Sequence, residues 1–208
     1  IRTHGGNAVS ISSNAARNFV IANSIVTNGT FSSAGGIFIG QGAHNNTIFS
    51  NHIIVNATGS SGISASSTSS GDNNVTNNTI IHVGTNGDGM IFGAGSLNNI
   101  AINNRVNVTA SGTAGLQLTG FGDRYIGTVI SASLRWIDVF SGGHNFTNTT
   151  FVNTNGSVNF FENFTVNASG DNILRGNFFI GPNIAQVNTT VFPELNTTAT
   201  VTVQNVTS

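Results

Sequence analysis

Short apolar runs of three to five residues, with apolar side chains at alternate places, recur along the whole chain between turns rich in Gly, Asn, Ser and Asp. Alternation over so few residues predicts half-buried strands, and no long window holds the 3.6-residue spacing of an amphipathic helix. The runs sort into three columns that keep one beat. The first contains Val20, Ile48, Val75, Ile100, Tyr125, Phe146 and Ile173, separated by 28, 27, 25, 25, 21 and 27 residues. The second contains Val9-Ser10-Ile11, Ile37-Phe38-Ile39, Ile63-Ser64-Ala65, Met90-Ile91-Phe92, Leu116-Gln117-Leu118, Ile137-Asp138-Val139 and Val158-Asn159-Phe160, the middle four runs preceded by Gly. The third contains Ile25-Val26, Ile53-Ile54-Val55, Ile80-Ile81, Val106-Asn107-Val108, Val129-Ile130, Phe151-Val152 and Phe178-Phe179-Ile180.

A fixed period of this length is one turn of a solenoid rather than one domain. Three strands per repeat predict an all-β fold, a right-handed single-stranded parallel β-helix of about seven coils over residues 1–185, followed by a C-terminal extension strand over 186–208. A lone coil cannot bury its inward side chains. Coils stacked at about 4.8 Å bond one another and close a continuous core. The pattern resembles the parallel β-helix repeat superfamily, which includes pectate lyases, polygalacturonases, phage tailspikes and many repeat-bearing archaeal and bacterial surface proteins. The resemblance covers about residues 4–185 and bears on fold far more than on function.

Stacking turns equivalent positions into columns of like residues. Nine of the 15 Phe lie from Phe140 onward, which predicts ring stacking in the C-terminal coils and Val/Ile packing in the N-terminal ones. Asn tolerates left-handed corners and bonds a stacked Asn through its amide. The columns Asn18/Asn46/Asn73/Asn98 and Asn23/Asn51/Asn78/Asn103 fit that structural role.

Composition narrows the class. Lys is absent and charged residues make up 6%, with a net charge of −1, against roughly 25% in ordinary soluble domains. Six scattered Arg cannot form the basic stripe that phosphate binding needs, so nucleic acid is not an expected partner. No apolar run approaches the roughly 20 residues of a membrane span. Cys is absent, which excludes disulfides and thiolate metal sites. The chain begins at Ile without a signal peptide, the expectation for a processed product or a fragment.

Solubility must then come from something other than charge, and the motif Asn-x-Ser/Thr supplies a candidate as the acceptor for N-linked glycans. It begins at Asn28, Asn45, Asn56, Asn74, Asn77, Asn107, Asn145, Asn148, Asn155, Asn163, Asn167, Asn188, Asn196 and Asn205, fourteen times. Random order of 32 Asn and 47 Ser plus Thr gives about seven, so the motif is twofold in excess. None of the eight Asn in the two corner columns begins one, whereas Asn28 and Asn56, each five residues after a corner Asn, both do. Asn74/Asn77 and Asn145/Asn148 lie too close for both members to be modified easily. Fourteen acceptor sites imply an extracellular, cell-surface chain carrying covalent N-linked glycans.

The principal alternative is a polysaccharide-active lyase or hydrolase, because the superfamily's best-known members cleave acidic polysaccharides. Such chemistry needs clustered carboxylates, and the whole acidic inventory is Asp72, Asp88, Asp123, Asp138, Asp171, Glu162 and Glu194. The register above stacks Asp88 between Ser61 and Ala114 and Asp138 between Gln117 and Asn159, so no two carboxylates meet. Asn86-Gly87-Asp88 and Gly142-Gly143-His144 read as turns, and an Asp88/Asp123/Arg124 site is the weaker reading. His4, His44, His52, His82 and His144 lack metal-ligand spacing and read as polar turn residues. No metal, cofactor or catalytic residue is therefore expected. Arg17, Arg105, Arg124, Arg135 and Arg175 are expected over apolar coil faces or on loop carbonyls. Trp136 is expected as a core or edge anchor, or else as part of an aromatic wall for sugar.

After Phe192-Pro193-Glu194 the repeat gives way to a Thr/Val alternation, Thr198-Ala199-Thr200-Val201-Thr202-Val203, the pattern of a strand leaving the solenoid. Such a strand either caps its own last coil or pairs with the open edge of a neighbouring subunit. Neither end shows an amphipathic capping helix, and bare ends that match each other stack head to tail. The sequence is thus read as a structural subunit of a surface filament or surface layer, a homo-oligomer or helical polymer, with a carbohydrate-binding or adhesive module as a further alternative.

Overall fold

In a computed structural model, residues 1–29, 35–66, 69–110, 112–133, 135–141, 143–166, 172–174 and 178–204 are described. Asn167, Asn205, Asp171, Arg175 and Gly142 lie outside them. Six layers of three strands follow one another: β1 (Arg2–Thr3), β2 (Val9–Ile11) and β3 (Phe19–Ile21); β4 (Ser24–Thr27), β5 (Ile37–Ile39) and β6 (Thr47–Phe49); β7 (His52–Val55), β8 (Ile63–Ala65) and β9 (Asn74–Thr76); β10 (Thr79–His82), β11 (Met90–Phe92) and β12 (Ile100–Ile102); β13 (Arg105–Val108), β14 (Ala114–Leu118) and β15 (Arg124–Ile126); β16 (Val129–Ala132), β17 (Arg135–Val139) and β18 (His144–Thr147). Each strand pairs in parallel with its equivalents in the layers above and below, so the fold is a parallel β-solenoid with three sheets. Six layers make five coil-to-coil steps, fewer than the seven coils expected.

The shortfall arises at the C-terminal end, where direction reverses. After β19 (Thr149–Asn153), which is still parallel, come β20 (Gly156–Phe160), β21 (Phe164–Val166) and β22 (Asn172–Leu174). They pair antiparallel with β19, β18 and β17, one in each sheet. Val158-Asn159-Phe160 therefore belongs to the first sheet, not the second. Phe164 rather than Ile173 continues the column of Phe146, and Asn172 rather than Asn159 lies opposite Asp138. Phe178-Phe179-Ile180 falls in a separate hairpin, β23 (Phe178–Gly181) with β24 (Ile184–Val187), which straddles the expected boundary at 185/186. A 3-10 turn, Pro193–Leu195, precedes β25 (Ala199–Val203), which pairs antiparallel with β20 and ends the first sheet.

Inward positions form the expected columns. Ile25, Ile53, Ile80, Val106, Ile130 and Phe151 line the first sheet, and Ile37, Ile63, Met90, Leu116 and Ile137 the second, all buried. In the third sheet the column runs Val20, Ile48, Val75, Ala101, Tyr125, Phe146, so Ile100 faces outward and Ala101 takes its place. Rings then stack from Phe92 to Tyr125, Phe146 and Phe164 at centroid distances of 5.5, 4.7 and 5.0 Å. Trp136 is buried against Phe151 and Phe178, an anchor of the core rather than a sugar-facing wall. Gly36, Gly62, Gly89 and Gly115 form a column before the second sheet. A Cβ on any of them would meet the next coil's carbonyl oxygen at 2.4 to 2.8 Å, so close backbone approach requires glycine there.

The two ends differ. At the C-terminal end Phe178, Phe192 and Leu195 close the core and are buried. At the other end β1, β2 and β3 are the edges of their sheets, and Phe19 is 68% exposed.

Candidate functional surface

Two corners per coil decide which Asn faces inward. At the corner before the third sheet a residue with left-handed backbone (Arg17, Asn45, Asp72, Asn98, Gly122) precedes Asn18, Asn46, Asn73, Asn99 and Asp123. At the corner after it Ala22, Ser50, Asn77, Asn103 and Gly127 precede Asn23, Asn51, Asn78, Asn104 and Thr128 in the same way. The second residue of each pair turns inward and, except for Thr128, whose hydroxyl has no partner among the described residues, builds the ladder. Asn99 and Asn104 therefore replace the expected Asn98 and Asn103.

From the second rung onward, each ladder Oδ1 accepts both the backbone N–H and the amide N–H of the Asn one coil earlier. Asn46 takes these from Asn18 at 2.9 and 3.0 Å, and Asn73 from Asn46 at 3.0 and 2.9 Å. Asn51, Asn78 and Asn104 repeat the arrangement. Free amide N–H groups reach backbone carbonyls, as from Asn78 to Ile48 at 2.9 Å. A buried amide with its groups satisfied is structural.

The acceptor-motif Asn occupy the other set of positions. Among the described residues Asn45, Asn56, Asn74, Asn77, Asn145, Asn148, Asn163, Asn188 and Asn196 are exposed, and Asn28, Asn107 and Asn155 half-buried. None of these twelve is buried. Asn45 and Asn77 sit at the left-handed corner positions, which project outward. Asn74 and Asn145 share one outer column of the third sheet through Ile100 and Arg124, three steps or about 14 Å apart. Others crowd: the Asn56 amide donates to Asn28 Oδ1 at 2.6 Å on the neighbouring coil, and the Asn159 amide to Asn148 Oδ1 at 3.1 Å.

Three carboxylates, Asp88, Asp123 and Asp138, are buried, whereas Asp72 and Glu162 are exposed. Asp123 occupies an Asn rung, accepting the Asn99 N–H groups at 2.9 and 3.1 Å, with His144 Nδ1 3.3 Å from its second oxygen. Both side chains are fully buried, so His144 is not a turn residue. Asp88 accepts the Ala114 N–H at 2.7 Å, and its carboxyl is raised chiefly by burial. Asp138 pairs with Arg135 at 2.7 Å. Burial pushes it up to about 6, against the attraction of Arg135. Arg135 lowers both carboxyls, and the like charge of Asp88 raises Asp138 further. His82 lies in the same region, its ring bonded to the Ser60 carbonyl and its pKa lowered by burial. The structure does not unite Asp88 with Asp123 and Arg124: Asp123 lies on the ladder, and Arg124 is exposed on β15. No group of three or more His, Asp or Glu suited to a metal occurs among the described residues. No helix is long and apolar enough to cross a membrane.

On the outside, a shallow groove of about 540 Å³ is lined by His44, Gly71, Asp72, Leu97, Asn98 and Phe121. Leu97 and Phe121 are exposed there. No family model matches the chain, and no curated protein or solved structure is significantly similar to it.

Proposed function

We propose that the chain is a structural extracellular protein, a heavily N-glycosylated β-solenoid subunit of a surface filament or surface layer that assembles through its solenoid ends. In character it stands closest to the glycosylated, repeat-bearing members of the β-helix superfamily. One observation carries the reading: Asn is sorted by position, with ladder Asn inward and none of them the first residue of an acceptor motif, and acceptor-motif Asn outward. A solenoid with 6% charged residues needs another hydrated coat, and glycans also block lateral pairing of sheets. Intact mass of the protein from its native source, before and after removal of N-glycans, tests the coat. The expected loss corresponds to several glycans, and an unchanged mass removes the reading.

A second reading, cleavage of a uronic-acid polymer, draws on Asp88 and Asp138, two carboxyls raised by burial, the latter paired with Arg135. Both carboxyls are buried, which favours a structural role. Products released from a panel of such polymers, and lost in Asp138→Asn, would support cleavage. The groove beside Phe121 supports an adhesive reading in the same way, tested by saturable oligosaccharide binding without turnover.

A further inference from the structure

Among the described residues β1 and β25 are the outermost strands of the nine-stranded first sheet. From β1 through β19 its strands run one way, β20 runs against them, and β25 runs against β20. The second reversal restores the original direction, so both edges of the sheet point the same way. Placing β25 of one copy beside β1 of the next makes a parallel pair that extends the sheet without inverting the solenoid axis.

We infer that β25 is the joining strand of a head-to-tail contact, seated on β1 of a second copy of this chain; the inference rests on the end-to-end assembly proposed above. Side-chain alternation agrees with it. Val201 lies opposite the core residue Val158, and Thr3 opposite the buried Thr27, so the inward sides of both edges belong to the same face of the sheet. Val201 is nevertheless 50% exposed, as expected of an inward position awaiting a neighbour.

The edge also lacks the usual protection. Native edge strands are blunted by charges, Pro or bulges. β25 is Ala-Thr-Val-Thr-Val, paired without a bulge to β20. At the opposite end Asn18 Oδ1 and Asn23 Oδ1, the first rungs of both ladders, accept no hydrogen bond among the described residues and face the place where another strand would bring N–H groups.

Charge favours this orientation over its alternatives. Residues 1–71 carry Arg2 and Arg17 with no acidic residue, a balance of +2. Residues 139–208 carry Glu162, Asp171 and Glu194 against Arg175, a balance of −2. Glu162 stands at the entry to β25, accepting the Thr197 and Thr198 hydroxyls at 2.7 and 2.9 Å. Head-to-tail contact opposes unlike charges, whereas head-to-head contact opposes like ones.

The chain has no Cys, so introduced thiols report without background. Within one copy the two edges are eight inter-strand steps apart, roughly 38 Å, which forbids an internal disulfide. Oxidation of the Thr3→Cys/Val201→Cys double variant is expected to give a ladder of disulfide-linked multimers that collapses under reductant, with either single variant giving dimers at most. Assembly is expected to weaken at high salt and in Thr202→Lys, which puts a charge on the edge while β-sheet circular dichroism is retained. Multimers by light scattering without the disulfide ladder would overturn the β25–β1 contact and leave end-to-end assembly standing. A monodisperse monomer at all concentrations would overturn both.

Discussion

Thr165 Oγ1 donates to Asn145 Oδ1 at 2.7 Å, and on the neighbouring strand Thr147 donates to Asn163. Thr147 and Thr165 are the third residues of the motifs that begin at Asn145 and Asn163. On the antiparallel pair β18 and β21 the two motifs therefore interlock, each hydroxyl held by the other's Asn. The Asn are diagonal neighbours, within about 8 Å. Two glycans cannot share that space easily. Glycopeptide mass spectrometry is expected to find one or the other modified on a given molecule, with Asn145→Gln raising occupancy at Asn163. Full occupancy of both on the same peptide pair contradicts this.

The inward and outward Asn should differ sharply in what they contribute to stability. Asn73→Ala removes an acceptor for two Asn46 N–H groups and the Asn73 amide's own bonds, all within the buried ladder. Unsatisfied buried groups cost about 2–4 kcal/mol in total here. Asn56→Ala on the exposed corner should stay within about 0.5 kcal/mol. Guanidinium unfolding midpoints of the unglycosylated protein compare the two, and equal losses would show that the ladder is not a stabilising element.

The ring column holds one polar atom without a partner. Tyr125 is fully buried between Phe92 and Phe146, and its hydroxyl makes no hydrogen bond among the described residues. Tyr125→Phe should raise stability by about 1 kcal/mol, whereas Phe146→Ala should cost about 3–5 kcal/mol. Thermal unfolding of the two variants checks both signs.

Asp138 makes stability depend on pH. Its carboxyl titrates at about 6 in the folded chain because of burial, against 3.8 when unfolded. Between those values the folded state holds the proton and the unfolded state does not. This contribution is complete below 3.8 and is lost as pH rises through about 6. Asp138→Asn should therefore stabilise the protein at pH 7 by on the order of 2 kcal/mol, and hardly at all at pH 3.5. A loss at pH 7 would mean that the Arg135 ion pair outweighs the burial.

The periodic part of the fold was legible in the sequence because stacking repeats one local environment. Val9-Ser10-Ile11 through Ile137-Asp138-Val139 lie in register as expected. Two kinds of position were not legible. Asn98-Asn99 and Asn103-Asn104 are doublets, and composition cannot say which member takes the left-handed corner and which the rung. Beyond Phe151 the apolar runs keep their spacing while the strands reverse. Alternation records which face is buried, but not strand direction. The five-residue offset placed Asn28 and Asn56 relative to the corner Asn, but not Asn45, Asn74 or Asn77, which adjoin a ladder Asn directly.

Site-resolved glycopeptide mapping of the protein from its native source tests the central claim most directly, because it asks whether outward Asn are the ones that carry sugar. The expected result is glycan at several of Asn45, Asn56, Asn74, Asn145, Asn163, Asn188 and Asn196, with crowded partners such as Asn28 and Asn56 seldom modified together. Unmodified Asn at all of these exposed positions would contradict it.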